Sequence, residues 1–312
     1  MSGMVPLGEA AKSVSPRFNL VSLVPSALLV SGIGFLILSG SFSAVPSIHL
    51  LVKRLEGVNV FLGSVLLLAV LSFALVLQPF QLLLVRVLEG YWDQTPVLRS
   101  FRYFGVEINR RRRLKIKRLR GDDDLLARLY PPSIEDFLPT RLGNVLRAAE
   151  RRAGKSHGFT EPVEMFPRIY PYMSPPLAEA IADARDDLDV ACRMCVVLWL
   201  LALVSGVVFA ADGAVPATDG AVLAAPVAGA LLAVLAYRGA VRTGEEYGKF
   251  LFYVFDLHRR DLIRALGYDP PRNPKEEKEL IKDITAWLVH DRPAPTRHRE
   301  RSTPGSAGRP SS

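Results

Sequence analysis

Cys192 and Cys195 are the only thiols in the chain and stand one helical turn apart, in a Cys-x-x-Cys spacing that serves zinc or redox chemistry. A structural zinc ion takes four ligands, and this pair supplies two. A redox pair wants a helix N-terminus to stabilise its thiolate, whereas these cysteines fall in the middle of a helical run. The expectation is small buried thiols packed between helices, with a metal shared across subunits as the alternative. Asp122, Asp123 and Asp124 form an acidic triplet, but three consecutive carboxylates on a helix diverge, and no EF-hand pattern follows. They read instead as the acidic start of a short helix, LLARLY, stopped by Pro131 and Pro132. No nucleophile elbow, HExxH, P-loop or haem-attachment motif occurs. The motifs therefore predict neither an enzyme nor a bound metal or cofactor.

The densest chemistry is cationic. Arg110, Arg111, Arg112, Arg113, Lys115, Lys117, Arg118 and Arg120 occupy eight of eleven successive positions. Such a run can be a solvated topogenic helix face, a contact for anionic lipid headgroups, or a nucleic-acid arm. Near an anionic membrane each Lys or Arg gains about 1 kcal/mol. Nucleic-acid binding calls for aromatic platforms or a known module, and only Tyr103 and Phe104 lie close by. Membrane lipid, with anionic headgroups, is the expected partner and nucleic acid is not.

What positions these residues is an alternation of apolar and charged blocks. The chain of 312 residues combines a formal net charge of +8 with 49% hydrophobic residues, so the two kinds must be segregated. Four blocks, 20–40, 61–85, 190–211 and 215–237, read as transmembrane helices. The first covers about 31 Å as a helix. Lys12 and Arg17 before it, with Ser41 and Ser43 after it, also suit a signal peptide, but the apolar run exceeds the roughly 7–15 residues of such a core. The blocks are nearly free of charge, with Gln78 and Gln81 their most polar large residues, which disfavours a proton-coupled transporter. Lys and Arg concentrate between blocks two and three and near the C-terminus, while the last connection has none. The positive-inside rule then predicts a bacterial cytoplasmic-membrane protein with both termini cytoplasmic.

The remainder divides into a cytoplasmic N-terminus (1–19), a cytoplasmic helical domain (86–189), a helical extension (238–290) and a disordered tail (291–312). An uninterrupted helix is expected from about 177 to 211, and another from the fourth block to Gly267, where Pro270 and Pro271 follow. Phe250, Val254, Leu257 and Asp261 form one stripe of that extension, with Leu251, Phe255 and Leu262 beside it. Lys275–His290 is a short amphipathic helix, for docking on the bundle or lying on lipid. The predicted class is all-α.

Three passages together, LEGYW (88–92), PTRLGNVLRAAE (139–150) with MFPRIYPYM (165–173), and YGKFLFYVFDLHRRDLIRALG (247–267), resemble a group of uncharacterised bacterial four-span membrane proteins. The resemblance covers most of 20–290 and departs at Phe166, where the group commonly has tryptophan. It implies the architecture and no activity. In its motifs Thr140 suits an N-cap, Gly143 permits close backbone approach, and Asn144, Arg147 and Glu150 share a helical face. This is either a packing junction or a polar pocket where Arg141 or Arg147 binds an anionic headgroup or small ligand. Asp256 with Arg259 and Arg260, and Asp261 with Arg264, are spaced for ion pairs, and His258 is a lone histidine of the kind that is ordinarily inert. The expected function is a homo-oligomeric, non-enzymatic scaffold or sensor. A homo-oligomeric pore lined by Ser22, Ser26, Ser31, Ser64 and Ser72 is the alternative.

Overall fold

A computed structural model describes residues 16–40, 48–56, 59–92, 96–211 and 220–295, and every regular element among them is helical. Most of the N-terminal segment, the start of the fourth apolar block and most of the expected tail lie outside the described residues.

Helix α1 (Pro16–Leu38) holds the first apolar block. A helix absent from the sequence expectations, α2 (Ile48–Glu56), follows in the first connection. Its Arg54 guanidinium donates to the carbonyls of Ile37 at 3.0 Å and Leu38 at 3.3 Å, so a cation meets the negative end of α1. The second block is broken rather than continuous: α3 (Val60–Leu77), a 3-10 turn over Gln78–Phe80, then α4 (Gln81–Glu89). Pro79 sits in the turn, where it lacks an N–H and its ring crowds the preceding turn.

Helix α5 (Pro96–Arg120) ends in the basic run. In α6 (Asp123–Leu129) the Asp122 carboxylate accepts from Leu125 N at 2.9 Å, and Asp123 and Asp124 fill the first turn. Helix α7 (Arg141–His157) leads through α8 (Pro162–Ile169) and a 3-10 turn at Tyr170–Tyr172. Helices α9 (Pro175–Ala211), α10 (Gly220–Ala265) and α11 (Pro274–His290) complete the chain. The two long helices therefore run through without a break, and Gly267 follows α10 in the left-handed region at φ 80°.

Among the described residues one helix, Pro175–Val208, is long and apolar enough to cross a membrane. Leu23–Leu38 and Val60–Val76 are apolar but shorter. The charge-poor reading of 190–211 needs one correction. Arg193 falls inside it and is only 3% exposed, one turn after buried Asp189. The uncharged stretch of α9 therefore begins at Met194.

The chain divides into two compact units, the first ending at Ala148 and resuming over Glu179–Phe250, the second made of Ala149–Ala178 and the residues from Leu251 onward. In the first unit Phe137, Leu142, Val145, Leu188, Cys192 and Val241 share one apolar core. A Cβ at Gly32 would meet Leu201, and one at Gly229 would press on Ala202, so small residues let α1 approach α9 and α9 approach α10. In the second unit Phe159, Met165, Phe255, Ile263, Ile281 and Ile284 are fully buried. The Phe159 and Phe255 rings lie 4.7 Å apart. The buried stripe of α10 is Leu251, Val254, Phe255 and Leu262; Leu257, expected on it, is 63% exposed because the helix faces its partners one position away. Helix α11 is docked, with Ile281, Ile284 and Thr285 buried.

Candidate functional site

The first unit gathers two of the conspicuous motifs into one junction. Gly90 closes α4 at φ 94°, a conformation open to glycine, and a Cβ there would strike the Pro139 ring. A Cβ on Gly105 of α5 would strike Pro139 as well, and one on Gly143 would strike the Glu89 carbonyl oxygen. Backbone approach this close at three points requires glycine at each.

Hydrogen bonds lock the packing. Thr140 Oγ1 donates to Glu89 O at 2.7 Å and accepts from Gly143 N at 3.0 Å, so it caps α7 while tying it to the end of α4. The Tyr237 hydroxyl of α10 accepts from Arg141 N at 3.0 Å and Leu142 N at 3.3 Å, serving two more of the N–H groups that open α7. Asn144 is fully buried. Its Oδ1 accepts from Leu138 N at 3.0 Å, and its Nδ2 donates to Leu138 O and Thr140 O, both at 2.7 Å. The backbone turn before α7 is thus held by one amide side chain.

Beside this junction, and wholly within the first unit, lies a cavity of about 890 Å³. Arg112 and Lys115 from α5, Arg141 from α7, and Arg238 and Arg242 from α10 line it, and no carboxylate does. Val87, Trp199 and Val234 form an apolar end. A shallower depression of about 410 Å³ shares Lys115 and Arg141 and is lined also by Arg120 and Glu245. Glu245 lies 3.9 Å from Arg141, a long and partly exposed pair. Burial raises the Tyr130 hydroxyl above its ordinary pKa, against the pull of Arg141, Arg112 and Arg113, so this cavity-lining phenol stays protonated at neutral pH.

The eight cations of the basic run part company. Arg112, Lys115 and Arg120 face the two depressions. Arg110 and Arg111 pair with Glu107 on their own helix, at 3.9 and 2.8 Å. The Arg113 guanidinium lies 5.5 Å from the Phe137 ring centre. Lys117 and Arg118 line neither depression, and every cation of the run except Arg113 is exposed.

Of the polar-junction residues, Thr140, Arg141, Gly143 and Asn144 come together as described. Arg147 pairs with Asp136 at 3.7 Å and does not line the cavity, so Arg141 alone of the two arginines is placed for an anion there. Glu150, Asp256, His258 and Asp261 belong to the second unit. There Asp256 accepts from Arg259 at 2.9 Å and lies 3.4 Å from His157, and His258 pairs with Asp261 at 3.1 Å. Asp261 also meets Arg264 at 3.4 Å. Arg260 departs from the expected intrahelical pairing: it reaches Glu277 of α11 at 2.9 Å, as Arg259 does at 2.6 Å. Burial opposes ionisation of Glu277, but hydrogen bonds from these two arginines outweigh it and hold the carboxyl below its ordinary pKa. Burial, aided by the Arg259 charge, lowers the pKa of His157.

Cys192 and Cys195 are fully buried, and the Cys195 thiol donates to Ala233 O at 3.6 Å. Among the described residues no group of three or more His, Cys, Asp or Glu side chains is arranged around a common point.

Asn109, Tyr237, Arg238 and Arg242 were not picked out by motif. Their signal is periodic: 105, 108, 109, 112 and 116 on α5, and 234, 237, 238, 241 and 242 on α10, each trace one helical stripe lining the cavity. The chain matches no family model, no curated protein and no solved structure. Fold and site define a class, an all-helical protein with a membrane-length helix and a cationic cavity with an apolar end.

Proposed function

We propose that this chain is an integral protein of a bacterial cytoplasmic membrane, of the four-span type its motifs resemble, and a non-enzymatic scaffold or sensor. In this reading 20–40, 61–85, 190–211 and 215–237 cross the bilayer, both termini are cytoplasmic, and the cationic side engages anionic lipid in a homo-oligomer.

One observation carries it. Leu67, Leu75, Leu203, Val207 and Leu231, spread over α3, α9 and α10, are each 61–64% exposed. Large apolar side chains turned outward along several helices mark a lipid or protein interface rather than a water-facing surface. Apart from Arg193, one turn inside the third segment, the Lys and Arg residues lie outside these segments and gather mostly on the connections assigned to the cytoplasm. The break at Gln78–Phe80 is compatible with a span, since local 3-10 turns and neighbouring helices can satisfy the backbone groups that proline frees.

The test is sidedness. Protease added to inverted membrane vesicles should cut within 110–120, while protease added outside intact cells should leave that segment whole. Digestion from outside would overturn the topology, and recovery of the full chain in the detergent-free soluble fraction would overturn membrane insertion itself.

A further inference from the structure

The cavity described above is amphipathic along its length, and its lining dictates what fits. Five cations with no lining carboxylate select an anion. On α10 the lining passes from Val234 to Arg242, eight residues and therefore about 12 Å of helix, from apolar to cationic. At the apolar end Trp199 and Val87 are half exposed. A free inorganic anion would use the cations and leave this apolar end to water.

Asn109 braces one wall of the cavity. It is 2% exposed and lines the cavity. Its Nδ2 donates to Pro139 O at 2.8 Å and to Gly105 O at 3.1 Å. Because both partners are carbonyls, the amide cannot be turned round. Its Oδ1 is sealed away from the cavity and from solvent, so the amide acts on the wall and not on a ligand.

We infer that this cavity binds one anionic phospholipid. Its phosphate sits among Arg112, Arg141 and Arg242, and the upper part of an acyl chain lies along Trp199 and Val234. The inference rests on the membrane reading above and narrows it from general attraction to anionic lipid to one built site.

The test uses full-length protein purified in detergent and stripped of lipid, with bound lipid counted by native mass spectrometry. Phosphatidylglycerol and phosphatidylcholine are offered separately, and free glycerol phosphate is offered as competitor. One tightly held phosphatidylglycerol is expected, retained about tenfold better than phosphatidylcholine, which has no net charge. The double variant R112Q/R242Q should lose it about tenfold, whereas R110Q/R118Q, with the same charge change outside the cavity, should keep it. Each variant is checked by thermal melting, and the headgroup comparison on the unmodified chain stands if a variant fails to fold. Equal loss in the two double variants would overturn the site while leaving a membrane protein with diffuse lipid attraction. Equal retention of phosphatidylcholine would overturn the selection of an anion, and displacement by glycerol phosphate at the lipid's own affinity would overturn the lipid. Failure of the membrane reading itself would be separate, since the chain would then be soluble without detergent.

Discussion

At the residue scale the junction rests on Asn144, whose single amide satisfies three backbone groups in a place water does not reach. Replacing it with alanine strands Leu138 N–H and Leu138 O, each costing about 1–3 kcal/mol when buried and unpaired. Asn144→Ala should therefore destabilise the protein by about 3 kcal/mol. Thermal melting in detergent checks this: the midpoint should fall by several degrees, while Arg118→Ala, on an exposed position, leaves it unchanged within error. The helical spacing of Asn144, Arg147 and Glu150 was legible in the sequence, but their separate fates were not. Asn144 became a structural lock and Arg147 an ion-pair partner, because the neighbours that decide burial arrive from elsewhere in the chain.

At the element scale the amphipathic helix α11 shows why pattern alone left two options. Its apolar face suits a lipid surface or a protein groove equally well. Glu277 decides it, since the carboxylate on that face is buried against Arg259 and Arg260. A carboxyl held below its ordinary pKa stabilises the folded state above its unfolded value, about 4.3, and that stability is lost as pH falls through the folded value. His157, lowered chiefly by burial, gives a second and higher window: its contribution is present above about 6.5 and lost as pH drops below. Hydrogen-exchange protection over Pro274–His290, taken relative to the intrinsic rate at each pH, should thus fall in two stages on acidification. His157→Gln removes the upper stage and Glu277→Gln the lower. Glu277→Gln should also loosen α11 at neutral pH by about 2 kcal/mol, having lost two charge-assisted hydrogen bonds. A single stage unaffected by either change would refute this account.

At the scale of the whole molecule, one of the serines named for a pore, Ser64, has a nearer use. Ser64 donates to Val60 O at 2.9 Å, and Ser205 likewise turns back to Leu201 O at 2.7 Å, the ordinary behaviour of hydroxyls within apolar helices. The protein reconstituted in planar bilayers should be electrically silent. Robust, reproducible ion flux would overturn the scaffold in favour of an oligomeric pore.

The sequence by itself determined the helical class, the long unbroken α9 and α10, the acid-capped start of α6 and the separation of cationic from apolar blocks. Each follows from local quantities: apolar runs, breakers, caps and charge counts along the chain. Only the tertiary structure brought Asn109, Arg141, Trp199 and Arg242 to one cavity, set Tyr237 on the first turn of α7, and moved the buried stripe of α10 off Leu257. Those outcomes depend on how far one helix is rotated and shifted against another. The contacts that fix that register join residues nearly a hundred positions apart, as Tyr237 and Arg141 do, and no local pattern carries them.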